Sequence, residues 1–174
     1  MSTKYNRGSE WRKWDLHFHT PSSYDYKDKS VSNEDIINVL SANNISVVAI
    51  TDHHIIDIDR ITKLKELGKE RDITILPGIE FCSELGGSES IHYIAIFPEN
   101  VKLDTIWTKI QASCNLTYAE RESKGEERIC CPFVNTCNLI VELGGIITIH
   151  AGHKSNSIEG IKNNLLVKQE LKQN

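Results

Sequence analysis

The histidines of this chain lie within or beside short β-prone segments, and none falls in a predicted helix. They are His17, His19, His53, His54, His92, His150 and His153. In the segment "WDLHFH", the alternation of a strand projects Asp15, His17 and His19 to the same side. Two imidazoles spaced in this way can clamp one metal ion. The chemistry that these residues indicate is therefore that of a metal centre.

Carboxylates accompany the histidines in other strand segments. Asp52 directly precedes His53 in "AITDHH", and Glu80 lies near the end of "LPGIEF". In parallel α/β folds, ligands bind beyond the carboxyl ends of the strands, and His19 and His150 close strand segments too. We therefore expect these imidazole and carboxylate groups to meet at one edge of a sheet and to bind metal there.

Each motif also has a plainer interpretation. Alternating histidines occur on ordinary polar strand faces, and Asp52 could cap the turn that follows it. Glu80 could be a surface acid, and His92, which opens its strand segment, could be a hydrogen-bonded core histidine. Their joint occurrence favours a metal, because a parallel sheet is buried on both faces and unpaired polar groups there would be costly.

Strand and helix segments alternate along the chain, which predicts an α/β fold with parallel strands and right-handed crossovers. Ser32 is a plausible N-cap for the first helix, and apolar residues at helical spacing give each helix a buried face. The predicted strands are 14–19, 47–51, 74–81, 91–97 and 144–150. The predicted apolar positions of the first two helices are Ile36, Ile37, Val39 and Leu40, then Ile61, Leu64 and Leu67.

Composition limits the classes of function. A length of 174 residues with 39% apolar residues suits one domain, and a net charge of −4 gives no general attraction for nucleic acid or an anionic membrane. No signal-peptide pattern or membrane-length apolar run is found, so we expect a cytoplasmic protein without a membrane partner. Five cysteines without a C-x-x-C pair favour reduced thiols over a structural zinc site.

Five motifs in order resemble those of the PHP superfamily, named for polymerases and histidinol phosphatases. They are "DLHFHT", "AITDHH", "LPGIEF", "IHYIAIF" and "GGIITIHAG", and they extend from Trp14 to Gly152. The segments "RGSEWRKWDLHFHTPSSYD" and "HAGHKSNSIEGI" further resemble the N-terminal PHP module of prokaryotic proteins that join it to an SMC-like or AAA-like ATPase. The resemblance therefore implies a PHP domain over residues 1–174, and an ATPase domain as a partner in a longer chain.

The resemblance implies a distorted (βα)7 barrel that binds up to three divalent ions, such as zinc, manganese or iron, at the carboxyl ends of its strands. Matched motif by motif, the first ion would be held by His17 and His19, the second by His92 and His150, and Glu80 would bridge the two. The third ion would be held by His53, with Asp25 near another of its ligands. Asp52 would orient a ligand or a water molecule.

One family motif has no match. A late Gly-Ser-Asp-x-His type segment donates an aspartate and a histidine to the first and third ions in the family, and this chain lacks it. Three explanations are open: a fragment of a longer protein, closing strands supplied by another chain, or a degenerate site. We favour the fragment and therefore expect an incomplete, N-terminal part of the barrel. The isolated chain should then hold metal substoichiometrically and show little turnover.

The expected activity is metal-dependent hydrolysis of a phosphate ester, with Glu80, Asp52 and His150 as catalytic residues. DNA or RNA is the preferred substrate class because of the ATPase-linked resemblance. The alternatives are a small-molecule phosphatase of the histidinol-phosphatase type and a non-catalytic metal-binding module. Lys154 could hold the substrate phosphate or be a solvated loop lysine. The roles of His54 and His153 stay open.

Overall fold

The computed structural model describes residues 11–84, 90–114, 116 and 131–149. Within them, five strands and four helices follow the order β1, α1, β2, α2, β3, β4, α3, α4, β5. The strands are β1 Lys13–Phe18, β2 Ile45–Ile50, β3 Thr74–Glu84, β4 Ser90–Ile96 and β5 Ile146–Ile149. The helices are α1 Asn33–Ala42, α2 Ile58–Lys69, α3 Leu103–Cys114 and α4 Phe133–Glu142.

The first helix begins where its sequence predicts. The Ser32 hydroxyl accepts a hydrogen bond from the Asp35 N–H, and the Asp35 side chain accepts one from the Ser32 N–H, which completes a capping box. Three of its four predicted core positions are buried. The prediction for Val39 was wrong: 56% of its surface is exposed. Val39 lies at the edge of the buried face of the helix.

The five strands form one sheet in the order β1-β2-β3-β4-β5. β1, β2 and β3 are parallel, whereas β4 is antiparallel to both of its neighbours, β3 and β5. The prediction of parallel strands throughout was therefore wrong for β4. Only residues 85–89 separate β3 from β4, and a parallel crossover needs a dozen residues or more.

The architecture is mixed α/β with a curled five-stranded sheet. The seven-unit barrel of which it would be a part stays a prediction. The main core fills the space between the sheet and the helices and includes Ile50, Ile75 and Phe81. A smaller cluster with Ala49 and Ile94 lies on the other face. Among the described residues, no helix has the length and apolar character that a bilayer crossing requires.

Candidate metal centre

Side chains from β1, from the residue after it and from β4 converge on Glu80 of β3, of which only 2% is exposed. Its Oε2 atom lies 2.7 Å from Nε2 of His17 and 3.1 Å from Nε2 of His19. Its Oε1 atom lies 2.8 Å from Nδ1 of His92. The two Nε2 atoms of His17 and His19 are themselves 2.9 Å apart. The alternation of "HFH" thus brings both imidazoles to the same carboxylate, as expected.

Three adjoining groups of potential ligand atoms surround this point, each with its atoms within 4.8 Å of one another. Ligand atoms around a tetrahedral ion with bonds of about 2.0–2.2 Å lie roughly 3.3–3.6 Å apart, so all three groups fit a small divalent cation. Glu80, His19 and His53 each belong to two groups. The groups are His17–His19–Glu80, His19–Asp25–His53 and His53–Glu80–His92. The two oxygens of Glu80 suit two neighbouring ions, whereas each imidazole has one lone pair when neutral and can bind only one of them.

His92 reaches the centre because β4 runs against β3. His92 is the direct cross-strand partner of Cys82, two residues beyond Glu80. The amino end of β4 therefore lies beside the carboxyl end of β3. This explains why a histidine that opens its strand meets histidines that close theirs.

Gly78 allows β3 to pass close to its neighbours just before Glu80. A Cβ atom at this position would lie 2.8 Å from the carbonyl oxygen of Ala95 and 2.9 Å from Cγ2 of Thr51. Real Cβ atoms do not approach backbone oxygens so closely. A side chain at position 78 would therefore push apart the strands that carry Glu80 and His92.

His53 is held beside Glu80 by backbone hydrogen bonds that continue beyond β2. The Glu80 N–H donates to the carbonyl oxygen of Asp52 at 3.1 Å, and the His54 N–H donates to that of Glu80 at 2.9 Å. His54 has a φ of 55°, which is uncommon for a residue with a Cβ atom. Such backbone geometry clusters at functional sites. Nε2 of His53 lies 3.8 Å from Glu80 Oε2 and 3.5 Å from Asp25 Oδ2. It could therefore bind an ion together with either carboxylate.

Asp52 is buried and contacts Thr20, the residue after His19. Its Oδ1 accepts a hydrogen bond from the Thr20 N–H at 2.5 Å, and its Oδ2 accepts one from the Thr20 hydroxyl at 2.6 Å. Burial raises the pKa of this carboxyl to about 6, although the Thr20 hydrogen bonds oppose the shift. Asp52 belongs to none of the ligand groups found among the described residues. These contacts fasten the loop after β1 to the end of β2, and the catalytic role of Asp52 stays a prediction.

The electrostatics of the centre favour a cation. Burial alone would raise the pKa of Glu80, but hydrogen bonds from His17, His19 and His92 outweigh it and hold this pKa far below its usual range. Contacts with Cys82 and Glu80 raise the pKa of His92 to about 9. The ionised carboxylate thus attracts positive charge, which the imidazole of His92 supplies here. A bound divalent ion would replace the added proton of that imidazole.

Ser23 is a site residue that our sequence analysis missed. It is fully buried in the loop between β1 and α1, and its hydroxyl contacts His19, Asp25 and the backbone of His53. The sequence offered only a weak local signal, a turn rich in serine and aspartate, whose side chains often form hydrogen bonds in turns. His150, His153 and Lys154 lie outside the described residues, so the predicted roles of His150 and Lys154 stay predictions and that of His153 stays open.

No protein-family model matches this chain, and no curated protein matches it. Several solved structures do. An amidohydrolase from Chromobacterium violaceum with bound sulfate and no metal is 17% identical, with a TM-score of 0.57 over 91% of this chain and 74% of that one. A proposed metal-dependent phosphoesterase from Bifidobacterium adolescentis is 13% identical, with a TM-score of 0.58 over 92% and 74%.

A third structure is that of a two-domain protein from Bacteroides vulgatus that contains a predicted PHP-like metal-dependent phosphoesterase. It is 14% identical, with a TM-score of 0.48 over 78% of this chain and 34% of that one. At such identities the first two comparisons show a shared fold. The chemistry of this chain has to be argued from its own residues.

Proposed function

We propose that this chain is a divalent-metal-dependent hydrolase that cleaves phosphate esters. The observation that carries the proposal is Glu80, a buried carboxylate whose two oxygens contact the imidazoles of His17, His19 and His92. Burying an ionised carboxylate among imidazoles in this way is costly unless cations compensate it. Metal ions bound by these four residues would supply that compensation.

One ion would be held by His17, His19 and Glu80, and a second by His53, Glu80 and His92. Asp25 offers a donor for a third ion, which would take His19 or His53 from the other two, because a neutral imidazole has one lone pair and binds one ion. Bound divalent ions would supply Lewis acidity toward a phosphate oxygen and would acidify water near neutral pH. The chain's own part is to fix the donors, to share Glu80 between the ions and to keep its carboxylate ionised.

Phosphate esters are preferred over amides for two reasons. The ordered motifs resemble the PHP superfamily, and the B. adolescentis structure of similar fold is described as a proposed phosphoesterase. The C. violaceum amidohydrolase was solved with sulfate, which is a tetrahedral oxyanion like phosphate. Hydrolysis of an amide is the second candidate, because that protein superposes equally well, with a TM-score of 0.57.

Among phosphate esters, we propose nucleic acid first and a small phosphomonoester second. The side chains of His17, His19 and Asp25 are 35%, 24% and 47% exposed. A site that open can admit a polymer, and the ATPase-linked resemblance also favours DNA or RNA. A non-catalytic metal-binding module is the remaining alternative, and it would bind ions without turnover.

The test combines metal content with hydrolysis. We expect the metal-depleted chain, reloaded with manganese, zinc or ferrous ion, to bind metal substoichiometrically and to cleave bis-p-nitrophenyl phosphate and a single-stranded oligonucleotide only slowly. Glu80→Gln should abolish both properties. Glu66→Gln is the matched control, since Glu66 lies on the exposed surface of α2 and pairs with Lys63.

The outcomes separate the alternatives. Faster cleavage of p-nitrophenyl phosphate than of either diester would favour the small-molecule phosphatase. Stoichiometric metal without hydrolysis of any of these esters would favour the non-catalytic module. Equal metal content in Glu80→Gln and Glu66→Gln would overturn the proposed centre.

A further inference from the structure

The hydroxyl of Ser23 touches every member of one ligand group. Its oxygen lies 3.3 Å from Nδ1 of His19, 2.7 Å from Oδ1 of Asp25 and 3.2 Å from the backbone nitrogen of His53. The side chain has no exposed surface. Water therefore does not compete for these contacts.

The hydrogen-bonding capacity of a hydroxyl decides the direction of each contact. A serine hydroxyl has one hydrogen to donate and two lone pairs that accept. The ionised carboxylate of Asp25 only accepts, and the backbone N–H of His53 only donates. The hydrogen of Ser23 is therefore directed at Asp25, and one lone pair receives the His53 N–H.

The remaining lone pair faces Nδ1 of His19, which must carry a hydrogen to make the contact. Nε2 is then the atom of His19 that is left to bind metal. That atom is the one that lies 3.1 Å from Glu80 Oε2. Fixing the tautomer of a ligating histidine through its other ring nitrogen is a recognised way to tune a metal site.

We propose that Ser23 is a positioning residue, which sets the tautomer of His19 and aims Asp25 and His53 at the same ion. The inference rests on the proposed function, because it assigns Ser23 a part in that metal centre. Ser23 contacts the candidate ligands rather than a reacting atom. It therefore acts through them.

The backbone holds Ser23 in place independently of its side chain. The Ser23 N–H donates to the carbonyl oxygen of Thr20 at 2.9 Å, and the Ser23 carbonyl oxygen accepts from the Tyr26 N–H at 3.2 Å. The Lys29 ammonium also donates to that carbonyl oxygen. Removing the hydroxyl should therefore leave the loop in position.

Ser22 provides a matched control. Its hydroxyl points away from the centre, where it donates to Oδ2 of Asp57 at 2.6 Å and accepts from Nε of Arg60 at 2.7 Å. Ser22→Ala and Ser23→Ala therefore remove the same atom from adjacent positions. Only the second change touches candidate ligands.

The experiment measures metal affinity and the His19 tautomer in both variants. Zinc titration against a chelating dye should show one ion bound roughly 10- to 100-fold more weakly in Ser23→Ala. This is the usual effect of removing the hydrogen-bond partner of a metal ligand. Ser22→Ala should bind as the unchanged chain does. The nitrogen-15 shifts of His19 in the metal-free protein, at a pH at which its ring is neutral, should report Nδ1–H in the unchanged chain and in Ser22→Ala, and a mixture of tautomers in Ser23→Ala; zinc at Nε2 would itself fix the tautomer.

Unchanged affinity and an unchanged His19 tautomer in Ser23→Ala would overturn the inference. Equal weakening in both variants, with equal loss of melting temperature, would also overturn it, because the loop would then matter only as a whole. If the unchanged chain bound no ion, the proposed function would fail by itself. The shifts of His19 in the metal-free protein would then decide whether Ser23 sets its tautomer.

Discussion

The candidate centre has two halves that are built differently. We call His17, Glu80 and His92 the strand half, and Ser23, Asp25 and His53 the loop half. In the strand half, all three residues lie in strands, and Glu80 contacts the two imidazoles at 2.7 and 2.8 Å. In the loop half, the side chain of Asp25 is 47% exposed and lies 3.5 Å from Nε2 of His53.

This difference concerns what keeps each ligand in place. Strand positions are fixed by the ladder of hydrogen bonds and by the packed core, so their side chains are preorganised for an ion. The loop half depends on a few local contacts, mainly those of the Ser23 hydroxyl. We therefore expect an ion to bind first in the strand half.

The largest expected effect comes from Glu80→Gln, which removes the charge shared by two ligand groups. Metal affinity should fall more than about 100-fold. Removing a hydrogen-bond partner of a ligand typically costs about 10- to 100-fold, and Glu80 is itself a ligand in two groups, so its loss should cost more. Asp52→Asn should cost less, since Asp52 bonds to Thr20 instead. Metal per chain after dialysis, measured by plasma mass spectrometry, checks the order, and equal retention in the two variants would contradict it.

Gly78→Ala should break the strand half through its backbone. The added methyl group would meet the carbonyl oxygen of Ala95 at 2.8 Å, and overpacking of this kind costs about 1–3 kcal/mol of stability. Chemical denaturation of the metal-free chain measures this loss. In this variant, the ion at Glu80 and His92 should also lose more affinity than the ion at Asp25. A variant as stable as the unchanged chain would show that β3 and β4 can separate without cost.

Two ligand substitutions compare the halves directly. His92→Gln should weaken metal binding about tenfold more than Asp25→Asn, a difference of about 1.4 kcal/mol. The reason is that water can replace a half-exposed carboxylate, whereas His92 holds a short contact to buried Glu80. Zinc titration of both variants tests this ranking. The reverse ranking would mean that the loop half binds the tighter ion.

Local sequence features predicted the parts of the fold that local physics controls. Each of the five predicted strand segments contains a strand, although the ends differ, because alternation and β-branched residues are local features of each segment. The capping box at Ser32 is confirmed for the same reason. The convergence of His17, His19 and Glu80 followed from strand alternation and strand ends alone.

The direction of β4 was missed, although the sequence carried the signal. Residues 85–89 read "LGGSE", which is too short for a crossover and has the paired glycines of a tight connection. Considering the length of this connection before the strand periodicity would have predicted that β4 is antiparallel to β3, with His92 near Cys82. Ser23 was harder to find, since a buried hydroxyl that joins three ligands depends on distant chain segments meeting, which no local pattern encodes.

The smallest expected effect concerns the support of the loop half by Lys29. Its ammonium donates to the carbonyl oxygens of Pro21, at 3.0 Å, and of Ser23. Two carbonyls gathered on one cation tighten the turn that carries the Ser23 hydroxyl. Lys29→Met keeps the aliphatic stem and removes only this cation.

Hydrogen bonds to a partly exposed charge contribute about 0.5–1 kcal/mol net, so Lys29→Met should weaken the ion of the loop half roughly two- to fivefold. The strand half should bind as before, because Glu80 and His92 make their contacts within β3 and β4. Lys27→Met, an exposed lysine of the same loop, is the control for lost charge alone. Zinc titration resolves the two ions if their affinities differ as expected. Equal weakening of both ions by Lys29→Met would mean that the two halves form one cooperative unit, in which the loop is as necessary to Glu80 as the strands are.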